Sequence, residues 1–384
     1  MRNGYRIIDT DTHVGPSLEV LDKYSGERLR ARRNELERYE RQTRDGTGLS
    51  ISPYPYSRQM GEHADTRETA TAGGKPALAG KIAAKVRQPP EPEVSNRNSA
   101  GRLLDMDREG RDVDLIIPGT FATAVSAIDP ELAVDVYDAY HRYIGDYCSA
   151  DPARLKATIL APSWDPEWAA KEIGRLEAEP WVGAVTVVLA EGTPVDDPEL
   201  HPIWTAVDGA DLPLLHHSFF YEPPYFPGYR DIWGHVAVAR AAAHPWGAQR
   251  LLGYLLLSGL FDQFPRLRIG FAECSAGWLP SWLVRLEGQA DYLAPSLPER
   301  ARTPLEYAQD GRVYCGLDLY EGEAIARSII AVLGDEAIMY QSDYPHDQCL
   351  FPESPDGILA WEQSLGRPTL ERILAGNAER YLGR

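Results

Sequence analysis

Cysteine is scarce in this chain and never clustered. The four cysteines, Cys148, Cys274, Cys315 and Cys349, lie far apart in the sequence. Such spacing excludes a disulfide framework and a thiolate zinc motif, and it favours a reducing compartment. No apolar run approaches the roughly 20 residues of a membrane-spanning helix, and the first residues, Met-Arg-Asn-Gly-Tyr-Arg, form no signal-peptide core. We therefore expect a cytoplasmic protein without a membrane partner.

Basic residues are also too few for binding a polyanion. The 39 lysines and arginines are outnumbered by 57 aspartates and glutamates, which gives a formal net charge of −18. A surface of this sign repels phosphate backbones and anionic lipids. The chain is otherwise of ordinary globular composition, with 43% hydrophobic and 25% charged residues. We expect a small-molecule substrate and no nucleic-acid partner.

Short apolar segments alternate with helical patterns along the 384 residues. Most of these segments are rich in Val, Ile and Leu without polar alternation, which is typical of strands covered on both faces of a parallel sheet. The alternation predicts an α/β fold, a (β/α)8 TIM barrel in a single domain, 1–384, with an open doubly wound sheet as the alternative. The predicted strands are 6–9, 114–118, 156–161, 183–189, 212–217, 268–273, 312–317 and 337–342, and helices are predicted at 130–150, 165–179, 245–264, 281–293 and 324–333.

Two insertions interrupt the alternation. Residues 19–98 separate the first two strands; 18–43 reads as a charged helix, and 46–92 has the Gly, Pro, Ser and Thr content of a loop or arm. This arm either covers the active-site face, reaches a neighbouring subunit in a homodimer, or is a plain loop. The second insertion follows the fifth strand, and its aromatic residues either wall an apolar pocket or form a small core under the loop. The candidate pocket residues are Phe219, Phe220, Tyr221 and Trp233.

The clearest sign of chemistry is Asp11-Thr12-His13, which closes the first apolar segment. Alternate side chains of a strand share a face, so Asp11 and His13 point the same way. A carboxylate beside an imidazole makes half of a divalent-metal site. The same two residues also suit a buried polar pair or a helix cap, so other residues of this chemistry have to decide.

The ends of three further strands carry such residues. The fifth strand ends in two histidines, His216 and His217, of which alternation lets only one face the barrel axis. The sixth ends in Glu273, whose burial is costly unless it is paired or bound to a metal. The eighth is followed by Asp343. Catalytic residues of TIM barrels lie at these strand ends, and a set without thiolate suits zinc, manganese or ferrous iron. The metal candidates are Asp11, His13, His216 or His217, Glu273 and Asp343, with His346 as a ligand or a partner of Asp343, and His235 and His244 as weaker candidates.

These motifs resemble, in order and spacing, the amidohydrolase-related family, in the branch of aminocarboxymuconate-semialdehyde decarboxylase and the resorcylate decarboxylases. The resemblance covers most of the chain outside 40–95. It implies a metal held by Asp11, His13, His217 and Asp343. The resemblance selects His217 and not His216, because the family's ligand on the fifth strand lies four residues after a proline. The motifs that carry it are Ile8-Asp9-Thr-Asp11-Thr-His13, Leu104-Asp105-Met106-Asp107-Arg-Glu-Gly110, Leu212-Pro213-Leu-Leu-His-His217, Ser342-Asp343-Tyr-Pro-His346 and Leu374-Ala-Gly-Asn377-Ala378.

The resemblance leaves the reaction open. Decarboxylases of the family carry an acid/base histidine on the sixth strand, where this chain has Glu273. One hypothesis is a metal-dependent hydrolase or decarboxylase of a small carboxylated or acyl substrate, with Glu273, Asp343 and His346 catalytic. The alternative is a non-haem di-iron monooxygenase that hydroxylates a bulky apolar substrate and uses Glu273 to bind a second iron. A non-catalytic binding protein is disfavoured, because idle buried carboxylates are costly.

Overall fold

Eight parallel strands form one sheet in the order in which they occur along the chain. The computed structural model describes residues 1–43, 46–49, 98–118, 129–190, 193–217, 236–346 and 349–383. The sheet curls until Thr12 in the first strand pairs with Tyr344, just after the last one. The predicted TIM barrel is therefore confirmed. Its strands, numbered β1 to β8 here, are Ile8–His13, Val113–Ile117, Leu155–Pro162, Val182–Val188, Leu214–His217, Ile269–Ala272, Val313–Leu317 and Ile338–Tyr340.

Helices connect the strands, and the sequence marks where several of them begin. Asp129 accepts hydrogen bonds from the backbone of residues 131 and 132, and Asp165 accepts one from residue 168. Each aspartate precedes a proline, which is well suited to the first helical position. The α-helices are Leu18–Leu21, Glu27–Ala31, Ser99–Glu109, Pro130–Cys148, Pro166–Leu176, His201–Ala210, Val236–Leu257, Leu260–Gln263, Leu279–Tyr292, Pro304–Gln309, Gly322–Leu333, Asp356–Leu359, Glu362–Leu365, Arg367–Glu371 and Asn377–Tyr381. No helix within the described ranges is both long and apolar enough to span a bilayer.

The C-terminal helix closes the amino end of the barrel. Tyr381 lies fully buried with the inward-facing side chains of the strands, and its hydroxyl donates to the carbonyl of Leu214 at 2.8 Å. Gly270 in β6 makes room for this ring, because a Cβ there would lie 2.9 Å from it. Because Tyr381 closes the amino end of the barrel, the polar residues lie at the opposite end, which is the carboxyl end of the strands.

The charged helix predicted over 18–43 is not formed. Leu18–Leu21 and Glu27–Ala31 are separate short helices, followed by a 3-10 helix, Arg33–Tyr39, and by a hairpin of Glu40–Thr43 with Gly46–Leu49. Gly26 adopts an extended conformation between the two helices, and glycine lowers helix stability. Arginines of this region also contact other elements, for example Arg28, which pairs with Asp135 at 3.1 Å while its side chain stays 68% exposed.

A second predicted helix has different bounds in the structure. The helix expected over 245–264 begins at Val236 and continues through Pro245 to Leu257. Proline favours the first position of a helix and usually interrupts its interior, so the sequence pattern placed the start too late. The aromatic insertion with Phe219, Phe220, Tyr221 and Trp233 lies outside the described residues, as do residues 50–97 of the predicted arm.

Candidate metal centre

Acidic and imidazole side chains from four strands meet at the carboxyl end of the barrel. Asp11 and His13 belong to β1, and His217 ends β5. Glu273 directly follows β6, and Asp343 comes three residues after β8. Their exposed fractions range from 0% for Asp11 to 7% for Glu273. The potential ligand atoms form two groups, and within each group all of them lie within 4.8 Å of one another. One group comprises Asp11, His13 and His217, and the other comprises His13, Glu273, Asp343 and His346.

The seam between the first and last strands sets the positions of three of these residues. The backbone N–H of Asp343 donates to the carbonyl of Asp11 at 3.0 Å, and that of His13 donates to Tyr344 at 2.7 Å. The His13 Nε2 atom consequently lies 3.1 Å from Asp11 Oδ1 and 3.0 Å from Asp343 Oδ1. Side chains more than 300 residues apart in sequence are thus held together by backbone pairing.

Glu273 and Asp343 occupy an unusual backbone region. Their φ angles are 48° and 62°, in the left-handed region that residues other than glycine seldom adopt. Both lie just after a strand, so the conformation turns each carboxylate across the mouth of the barrel. Strained residues of this kind persist only where their surroundings hold them, and they concentrate at functional sites.

Of the two adjacent histidines, His217 faces the centre. Its Nε2 atom lies 3.1 Å from Glu273 Oε2 and 3.7 Å from Asp11 Oδ1. His216 points to the other side of the strand and makes an edge contact with the ring of Phe271, with centroids 5.8 Å apart. Burial, together with nearby positive groups, lowers the pKa of His216 to about 3. The geometry therefore places His217, and not His216, with the other candidate ligands.

These side chains fit a divalent cation. Among the described residues, neither carboxylate oxygen of Asp11 and neither ring nitrogen of His13 has a hydrogen-bond partner of good geometry, although all four atoms are buried. Buried polar atoms left in this state are costly. Two donors bound at about 2.1 Å to one ion lie roughly 3.0–3.4 Å apart, and the contacts of His13 at 3.0 and 3.1 Å match this spacing.

The electrostatics of the centre also demand positive charge. Burial lowers the pKa of His13, but Asp11 and Asp343 raise it more strongly, to about 10. Burial raises the pKa of Glu273, but the hydrogen bond from His217 brings it down to about 2. Without a cation, the carboxylates therefore hold protons on the imidazoles. A bound metal ion would supply the same positive charge.

Two more histidines border the centre. The Nδ1 atom of His346 lies 2.5 Å from Asp343 Oδ1, and its half-exposed ring stacks on His13 with centroids 4.3 Å apart. His244, in the helix Val236–Leu257, has Nδ1 3.0 Å from the carbonyl oxygen of Glu273 and 3.9 Å from its Oε1 atom. His235, the other weak candidate, lies outside the described residues.

Sequence reasoning missed a layer of buried charges beneath the centre. Asp9 is fully buried and accepts hydrogen bonds from the backbone and hydroxyl of Ser342, at 3.0 and 2.5 Å, and from the backbone of Asp11 at 3.2 Å. Arg111 faces Asp9 at 3.5 Å and bonds to Asp114 at 2.9 Å. Asp9 thereby joins β1 to the end of β8. The available signal was a charged residue inside an apolar strand, at Asp9 and again at Asp114.

Arg102 supports the other side of β1. It donates to the Thr12 hydroxyl at 3.0 Å and to Asp114 at 2.9 Å, and it also donates to the carbonyl oxygen of His13. The guanidinium is only 1% exposed. Burial opposes its charge, but neighbouring groups, including Asp114, raise the pKa of Arg102 overall. The backbone that carries His13 is therefore anchored by a permanently charged group.

A barrel with carboxylates and imidazoles at the carboxyl ends of its strands defines a class of metal-dependent enzymes. Residues 8–384 match the family model described as Amidohydrolase, and the chain therefore belongs to the amidohydrolase family. This confirms the resemblance seen in the motifs. Gamma-resorcylate decarboxylase from Rhodococcus jostii is 26% identical over 280 residues, which cover 64% of this chain and 79% of that protein. Decarboxylase orsB from Emericella nidulans is 27% identical over 299 residues, covering 73% and 84%.

Solved structures share the fold at lower identity. A 5-carboxyvanillate decarboxylase from Sphingomonas paucimobilis superposes with a TM-score of 0.68 at 22% identity, covering 99% of both chains. A second one, from Novosphingobium aromaticivorans, was solved with manganese and 4-hydroxy-3-methoxy-5-nitrobenzoic acid. It gives a TM-score of 0.66 at 20% identity and covers 100% of this chain and 97% of its own.

Proposed function

We propose that this protein is a metal-dependent decarboxylase of a small aromatic carboxylate that carries a ring hydroxyl. The observation that supports this most is the convergence of buried donor atoms around His13, whose Nε2 atom lies 3.1 Å from Asp11 Oδ1 and 3.0 Å from Asp343 Oδ1, with His217 in one group with Asp11 and His13. The substrate class comes from the relatives, which are decarboxylases of gamma-resorcylate and 5-carboxyvanillate. These names favour decarboxylation over the hydrolysis that the motifs also allowed.

In this proposal Asp11, His13, His217 and Asp343 hold the cation. The cation would bind and polarise the oxygen atoms of the substrate, a Lewis-acid role. During the reaction the bond between the ring carbon and the carboxylate breaks, carbon dioxide leaves, and the electron pair that remains on the ring carbon takes up one proton. The residues of the chain have to orient the ring and deliver this proton.

We assign the proton transfer to Glu273. Its Oε2 atom lies 3.1 Å from Nε2 of the proposed ligand His217, where the positive charge of a bound cation would keep it ionised, so Glu273 starts as a carboxylate and acts first as a base. It collects a proton from the substrate hydroxyl or from solvent and then gives it to the ring carbon. Glu273→Gln keeps the shape of the side chain but cannot carry the proton. We expect it to lower turnover by at least about 100-fold.

Metal analysis and activity together test the proposal. Purified protein should contain about one zinc or manganese ion per chain and release carbon dioxide from at least one member of a panel of hydroxybenzoates. His217→Ala should remove most of the metal. His216→Ala is the matched control and should retain it, because His216 lies on the other side of the strand. Metal-loaded protein that decarboxylates no member of the panel would overturn the proposed reaction.

One observation favours a second candidate, a di-iron monooxygenase. The potential ligands form two groups that share His13, and the second group includes Glu273 and His346. Two carboxylate- and imidazole-rich groups side by side are what a dinuclear iron centre needs. About two irons per chain in anaerobically prepared protein, with oxygen consumed when an apolar substrate is added, would replace the decarboxylase proposal. A single metal ion and no oxygen uptake would eliminate the di-iron alternative.

A further inference from the structure

The loop after β6 is tied to the neighbouring strands by one buried carboxylate. Asp318, which directly follows β7, is 6% exposed. Its Oδ2 atom accepts hydrogen bonds from the backbone and hydroxyl of Ser275, at 3.1 and 3.0 Å, and from the hydroxyl of Tyr320 at 2.7 Å. Its Oδ1 atom accepts one from Gln341 Nε2 at 2.5 Å. Four donors therefore hold this one buried acid in place.

Gln341 passes this restraint to Glu273. Its side-chain oxygen accepts from the backbone N–H of Glu273 at 3.3 Å, while its amide group donates to Asp318. Only this orientation of the amide satisfies both neighbours, since a backbone N–H is a donor and a carboxylate is an acceptor. Gln341 is 1% exposed, so no solvent competes for these bonds. The relay ends at the residue whose left-handed backbone directs a carboxylate to the centre.

The barrel keeps a space for the relay. Gly316 in β7 lies under the side chain of Gln341, and a Cβ at this position would be 1.8 Å from Gln341 Oε1. The φ angle of Gly316 is not in the left-handed region, so the glycine provides room and not backbone freedom. Any other residue here would expel the Gln341 side chain from its position between Asp318 and Glu273.

We propose that Asp318 is a positioning residue for the metal centre, which acts through Gln341 to fix the left-handed backbone of Glu273 and so aim its carboxylate. This inference rests on the proposed metal centre. It assigns no contact with substrate or metal to Asp318 itself. A purely structural Asp318 would stabilise the fold without affecting how a bound metal is coordinated.

Exchanging the hydrogen-bonding roles of the two side chains tests the relay. In Asp318→Asn, an amide donor faces the amide donor of Gln341. In Gln341→Glu, a carboxylate faces the carboxylate of Asp318. The double variant restores the pattern, because an Asn at 318 donates to a Glu at 341 while its oxygen still accepts from Ser275. The double variant also has the same net charge as the wild type. Measurements at pH 8 keep Asp318 ionised, since burial raises its pKa to about 7.

The readouts are cobalt affinity and the visible absorption of bound cobalt, which reports coordination. Glu273 Oε2 lies 3.1 Å from Nε2 of the proposed ligand His217, so a displaced Glu273 carboxylate changes the charge and the packing beside the cation. We therefore expect each single variant to bind cobalt about 10–100-fold more weakly, with an altered spectrum. The double variant should recover most of the affinity and the wild-type spectrum. Tyr320→Phe, which removes one bond to Asp318 but leaves Gln341 in place, should resemble the wild type.

Two results would overturn the inference. One is a pair of single variants with the affinity and spectrum of the wild type; the other is a double variant no better than either single change. A wild-type protein that binds no cobalt would instead refute the metal centre. In that case a crystal structure of Asp318→Asn decides about the relay: a displaced Glu273 supports it, and an unmoved Glu273 contradicts it.

Discussion

Gly316→Ala should destabilise the protein by expelling one buried side chain. The new methyl group would lie 1.8 Å from Gln341 Oε1 and 2.4 Å from its Cδ atom, so Gln341 has to rotate away. Its bonds to Glu273 and Asp318 are then lost, at about 1 kcal/mol each, and a buried acceptor of Asp318 remains unpaired at a further cost of about 1–2 kcal/mol. The free energy of unfolding should fall by about 3 kcal/mol.

Urea unfolding and calorimetry measure this change. An unfolding entropy of about 0.8 kcal/mol per kelvin, scaled to 384 residues, converts 3 kcal/mol to a fall in Tm of about 4 °C. Gly288→Ala is the control: this glycine is in the helix Leu279–Tyr292 and has no atom within 4 Å of an added Cβ. It should stabilise the protein by about 0.5–1 kcal/mol. A Gly316→Ala protein as stable as the wild type would refute the reasoning.

Two further predictions concern buried charges outside the proposed set of metal ligands. Burial raises the pKa of Glu172, but hydrogen bonds from His141 and Arg175 lower it to about 2, below its ordinary 4.5. Its stabilisation is therefore fully present above about pH 4.5 and lost as the pH falls through 2. Glu172→Gln should cost about 2 kcal/mol at pH 7 and about 1 kcal/mol at pH 3 in urea unfolding, and equal costs would contradict this. Arg102→Met removes the buried partner of Asp114 and of the His13 carbonyl, and the free energy of unfolding should fall by about 3–5 kcal/mol. A loss below about 1 kcal/mol would show that Arg102 does not anchor β1.

The strands were predictable because burial on both faces leaves a simple mark in sequence. Seven of the eight apolar segments match observed strands closely, for example 312–317 against Val313–Leu317. The first strand was predicted at 6–9, but it runs from Ile8 to His13. Asp11 and His13, which were interpreted as polar residues that close the apolar segment, are part of the strand. Alternation still gave their common direction correctly, because that depends on strand geometry alone.

The residues that support the candidate ligands could not be predicted from the sequence in the same way. Gln341 and Glu273 are 68 residues apart, and neither the bond between them nor the left-handed backbone of Glu273 follows from a local pattern. Asp318 did carry a signal, an acid directly after an apolar strand, which is the same signal that singled out Glu273. Position alone does not distinguish an acid that lines the candidate metal centre, such as Glu273, from one that contacts only its neighbours, such as Asp318.

The seam between β1 and β8 makes the centre depend on closure of the barrel. Asp11 and His13 precede Asp343 by more than 300 residues, and the backbone hydrogen bonds between these segments form only when both are present. A polypeptide that ends before Asp343 therefore has only three of the four proposed ligands and lacks the seam that positions them. If the proposed metal centre is correct, tight cation binding requires the closed barrel, and metal retention would report whether the barrel has closed correctly after refolding.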